Sequence, residues 1–165
     1  MDAAIIVIVI SAILFGILPI IFRSSAVLIF LTLAAGELLS RLTAQDATQF
    51  VLSLPASNGL PTYSIVQIVL LTIAPIILLF AYKNSIKPGQ LFFHFLPAVA
   101  SVLVCVMLVT AKLPYETKEL VEKSQLYLAI EPFFSVAVAA GLLSSALYLV
   151  ATKPRQLKHK KHHLK

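Results

Sequence analysis

Long apolar runs joined by short polar connections dominate the pattern along this chain. Tyr63 to Tyr82, Leu91 to Ala111 and Pro132 to Thr152 are each apolar for about 20 residues, which at 1.5 Å per residue crosses a hydrocarbon core of about 30 Å. Ala3 to Phe22 is a fourth run, interrupted only by Ser11, Gly16 and Pro19. With Asp2 in place of a basic leader region and an overlong apolar stretch, it reads as a span and not as a secretory signal.

Ser24 to Leu42 is the ambiguous segment. Its unbroken apolar part is Ala26 to Ala35, and Gly36, Glu37, Ser40 and Arg41 follow. A span, a re-entrant segment and an interfacial helix all fit that pattern. One helix from Ala3 to Leu42 would be about 60 Å long, twice the hydrocarbon thickness, so the sequence predicts a break or hairpin near Arg23. The expected fold is all-α: a polytopic transmembrane helix bundle over residues 1–152, with spans near 3–22, 24–42, 63–82, 91–111 and 132–152. Four spans plus a re-entrant or interfacial segment is the alternative. Residues 153–165 are expected to form a disordered basic tail.

Composition agrees with that solvent. The chain is 59% hydrophobic and 12% charged, against about 45–50% and about 25% in soluble domains. A soluble globular enzyme is thereby excluded. The net charge of +6 resides wholly in the tail, where Lys153, Arg155, Lys158, Lys160, Lys161 and Lys165 occur without an acid. Cys105 is the single cysteine, so no intrachain disulfide and no cysteine-based metal site can form.

Basic residues in short loops favour the cytoplasm. Five spans put Arg23, Lys83, Lys87 and the six tail residues on one side, and Arg41, Lys112, Lys118 and Lys123 on the other. The expected orientation in the cell membrane is N-terminus outside and C-terminus cytoplasmic. In the connections, Asp46 to Gln49 has capping-box spacing and predicts a short interfacial helix stopped before Pro55. Ser57 to Pro61 reads as a turn, and Glu116 to Leu126, with Glu119 and Lys123 four apart, as a second surface helix.

Polar residues inside spans are the candidate functional groups, because an ionisable side chain at a helix centre costs about 2.5–3.5 kcal/mol on insertion scales. Glu37 and Arg41 are four apart and can neutralise each other near the outer boundary, where Arg41 can snorkel. The competing use is a contact with a substrate, ion or partner. Glu131 precedes Pro132 and reads as a helix start. Gln67 lies one turn into its span on the same side, so Glu37, Arg41, Gln67 and Glu131 would line an outward-facing pocket if they converged. His94, the histidine within a span, reads first as a hydrogen-bonded helix residue and only second as a ligand or proton carrier. Cys105 reads as packing, and Ser11, Thr32, Thr72 and Ser101 as hydroxyls bonded to their own helix backbone.

Packing signals exceed catalytic ones. Ala137, Gly141 and Ser145 recur every four residues and predict a close helix contact. The tail predicts attraction to anionic lipid headgroups at about 1 kcal/mol per basic residue, and without interleaved aromatics it gives little reason to expect nucleic-acid binding. No HExxH, GxSxG, P-loop or paired intramembrane acids occur, so no enzyme, cofactor or metal is expected. The expected function is a non-enzymatic accessory, assembly or scaffold subunit, working with other membrane subunits or by self-association. The alternative is a small transporter or channel component using the Glu37 and Arg41 region.

Overall fold

A computed structural model describes residues 3–53, 62–82 and 91–151. It is all-helical there. In chain order the elements are α1 (Ala3–Ser11), a π-helical stretch (Ala12–Ile17), α2 (Leu18–Ile21), α3 (Ala26–Leu52), α4 (Thr62–Ala81) and α5 (Leu91–Lys112). They continue with α6 (Tyr115–Glu122), α7 (Gln125–Ile130), a 3₁₀ turn (Glu131–Phe133) and α8 (Phe134–Ala151). Four helices are long and apolar enough to cross a membrane: α3, α4, α5 and the continuous run of α7, the 3₁₀ turn and α8. The apolar helix Ile5–Ile21 is shorter.

The first run is not a plain α-helix, and Pro19 supplies the reason. A proline has no N–H for the carbonyl four residues back and its ring presses on that carbonyl, here Phe15. The turn before it widens to π geometry, with the Leu18 N–H bonding the Ile13 carbonyl. The run ends at a tight reversal. Arg23 takes a left-handed φ of 48°, and the Ser24 N–H returns to the Pro19 carbonyl. The break expected near Arg23 is therefore a hairpin of four residues between Ile21 and Ala26.

Past the hairpin, α3 runs unbroken for 27 residues, about 40 Å. The separate helix expected to begin at Asp46 is absent. The Asp46 to Gln49 segment lies within α3, because the chain is already helical when it arrives and no backbone donor is left for a cap to satisfy. Likewise Glu131 and Pro132 do not begin the last helix. Helical structure starts earlier, at Gln125, where the Ser124 hydroxyl accepts the Tyr127 N–H, and Pro132 is absorbed by a single 3₁₀ turn. The surface helix expected over 116–126 divides into α6 and the start of α7, with Lys123 paired to Glu119. The Ser57 to Pro61 turn and the basic tail lie outside the described residues.

The core is built around α3. Ile29, Phe30 and Leu33 of α3 pack with Leu71 and Leu79 of α4, Ala100, Val104 and Cys105 of α5, Ala137 of α8 and Phe15 of the π-helical stretch. A smaller cluster of Met107, Val121 and Tyr127 seats α6 and α7 on the end of α5. Phe22 meets Phe80 at a ring separation of 5.6 Å, while α1 touches α6 and α7, so the first run lies along the bundle from one end to the other. Large apolar side chains cover the outside, among them Ile73 and Ile77 of α4 and Leu143 and Leu147 of α8.

Candidate functional site

The charged groups meet where α3 passes the end of α5. Glu37 is on α3, one residue after Gly36, and Gly36 lets α3 approach α4 so closely that an added Cβ would lie 2.4 Å from the Leu71 carbonyl oxygen. That approach keeps Glu37 inside the bundle, where its side chain is 14% exposed. Its Oε1 accepts from Arg41 Nε at 2.7 Å, and its Oε2 pairs with Lys112 Nζ at 3.0 Å. Lys112, the last residue of α5, is 7% exposed, whereas Arg41 is 70% exposed. Two cations share one carboxylate, leaving one net positive charge, and the exposed member carries it toward the surface.

The Glu37 and Arg41 pair is the one spacing predicts, but the interhelical partner is Lys112, which reads from sequence as a loop lysine. Among the described residues, the other two members of the expected polar pocket make no bond to that cluster. Gln67 donates to the Tyr63 hydroxyl at 3.2 Å, Glu131 is exposed, and no hydrogen bond or ion pair joins either to Glu37 among the described residues. Gln67 finds a partner one turn back on its own helix, which serves its amide without the chain crossing to α3.

At the opposite end His94 is buried with its ring edge-on to Tyr148, 4.7 Å between centroids. Neither ring nitrogen has a hydrogen-bond partner among the described residues, so the expected bond to the helix is absent and packing on an aromatic replaces it. The hydroxyls of Ser24, Ser25 and Ser145 are also buried without a partner among those residues. No group of three or more histidines, cysteines or acids that could hold a metal occurs among the described residues. Of the four hydroxyls expected to bond their own backbone, Thr32, Thr72 and Ser101 do so. Ser11 instead points across to the buried Cys105 sulfur at 3.7 Å, because α1 lies directly against α5.

Small residues set the helix contacts. Ala137, Gly141 and Ser145 are buried, and Gly141 faces the Phe30 ring of α3. A second row, Gly36, Ser40, Ala44 and Thr48, lies buried along α3, whose most extensive pairing is with α4. Its four-residue spacing is the same signal as that in α8, and it is readable in the sequence once α3 is taken as one long helix. A shallow apolar cavity of about 190 Å³ opens between Gly16 and Ile20 on one side and Phe95, Val99 and Val102 of α5 on the other.

No known protein family, curated protein or solved structure matches this chain.

Proposed function

We propose that this is a multi-pass integral membrane protein of the cell membrane, acting as a non-enzymatic accessory, assembly or scaffold subunit. Four long apolar helices support membrane residence. A fifth crossing by the first run is supported by its nineteen helical residues, about 28 Å, and by its course from α6 and α7 to Phe80. On that reading the N-terminus is outside and the basic tail is cytoplasmic, against anionic headgroups.

One observation carries the functional choice: the acid and the two cations where α3 passes the end of α5 close on one another. Glu37 is occupied by Arg41 and Lys112, and the cavity beside α5 is lined by apolar residues. A translocation path needs polar groups facing a hydrated cavity. The transporter reading would require the Glu37–Lys112 pair to open. Two measurements divide the readings. Cross-linking and purification in mild detergent should recover a second membrane subunit or a defined oligomer, and vesicles containing the protein alone should show no solute flux. Flux that is lost in Glu37→Gln would reverse the choice.

A further inference from the structure

We infer that Arg41 is a binding site for the phosphate group of a membrane phospholipid at the end of the bundle where α3 leaves the hydrocarbon. The inference rests on the membrane residence proposed above.

Arg41 is half-committed. Its Nε is bound to Glu37, and the two terminal amino groups, with four of the five guanidinium donors, find no acceptor among the described residues. Asp46, the next acid along the helix, stands about 140° around it. The side chain lies on the outside of α3 beside Leu38 and Leu42, which are 63% and 79% exposed. Past Leu42 comes a polar turn with exposed Gln45, Asp46 and Gln49, before the exposed Phe50 and Leu52 at the end of α3. Arg41 therefore lies where the exposed surface of α3 passes from leucines to a polar turn, the level expected of a membrane boundary.

That level is where phosphodiesters lie. A guanidinium with one edge free matches two phosphate oxygens, and such bidentate pairs are stronger than neutral hydrogen bonds. Lys112 supplies the reason the site prefers an anion: by sharing Glu37 it leaves the cluster one positive charge in excess. Glu37 acts as a positioning residue, since holding Nε inward turns the free edge outward. Leu38 and Leu42, on one flank of Arg41, select a lipid over a free anion, because they give its chains an apolar surface beside the charge.

The test is lipid titration of the delipidated, detergent-solubilised chain by native mass spectrometry. Full-length protein whose six tail basic residues are replaced by glutamine serves as the background, so that tail attraction does not mask the site. The probes are phosphatidylglycerol and a diacylglycerol with the same chains. The expected result is preferential binding of the phospholipid, weakened about tenfold by Arg41→Gln and less by Arg41→Lys. Unchanged circular dichroism in the variants shows that the fold persists, as expected for an exposed side chain. Equal affinity in Arg41→Gln, or displacement of the lipid by inorganic phosphate, would overturn the proposal. Carbonate extraction of native membranes separates the two readings. A chain released to the supernatant sinks membrane residence itself, and a retained chain with an indifferent Arg41 sinks only the phosphate site.

Discussion

Gly36 and Gly141 both lie where α3 nearly touches a neighbour, yet they touch different things. Gly36 faces the backbone of α4, with the Leu71 carbonyl oxygen, carbonyl carbon and Cα all within 3.3 Å of where a Cβ would be. Gly141 faces the ring of Phe30, whose nearest carbons would be 2.4 Å away. A backbone can yield only if the whole helix moves. A ring can yield by turning or by being replaced. Within a membrane, where apolar surface gains nothing by leaving lipid, contacts of this kind supply the attraction between helices. The α3–α4 pairing is thus fixed by main-chain proximity and the α3–α8 pairing by side-chain fit.

The largest expected effect breaks the first contact. Gly36→Ala should destabilise the bundle by about 3 kcal/mol, the upper part of the range for overpacking, and shortening Leu71 to Ala should not rescue it because the clash is with main chain. Unfolding by SDS titration in mixed micelles measures both. Next comes the charge link of α3 to α5. Glu37→Gln leaves the buried Lys112 ammonium without its carboxylate and should cost about 2 kcal/mol, while the double variant with Lys112→Met should regain at least half. Additive single effects in that cycle would show that the pair is not coupled.

Gly141→Ala should cost about 1 kcal/mol, and the cost should vanish in a Phe30→Leu background, in contrast to the behaviour at Gly36. A penalty that persists in that background would erase the distinction between the two contacts. The smallest effect is expected at Gly16, where an added Cβ meets only Val102 Cγ2 at 3.2 Å. There the helix-favouring gain of alanine should balance the crowding, leaving stability within about 0.5 kcal/mol.

How much of this was legible in the sequence depends on the range of the interaction. Four of the five apolar runs, the break at Arg23 and the Glu37 to Arg41 pairing are local patterns, and each has its counterpart in the long helices, the hairpin and the 2.7 Å ion pair, while the first run gives a shorter helix. The pocket of Glu37, Arg41, Gln67 and Glu131 needed distances between helices, which spacing along one helix does not contain. Lys112 was missed for the same reason: it follows an apolar run and looks like a loop cation until α3 is laid beside α5. The false helix start at Asp46 had a different cause. A capping pattern nucleates a helix only where the preceding chain is not already helical, and α3 is helical for twenty residues before it.

Single nitroxide labels, introduced on a Cys105→Ala background in reconstituted vesicles, give the most direct check on the arrangement of helices in lipid. Labels at Ile73, Leu143 and Leu147, on the outer faces of α4 and α8, should be relaxed by dissolved oxygen and shielded from a water-soluble nickel chelate, whereas Gln45 and Gln49 should show the reverse. Nickel access at Ile73 and Leu147 equal to that at Gln49 would mean that water, not acyl chain, covers those faces, contradicting residence of the bundle in the membrane.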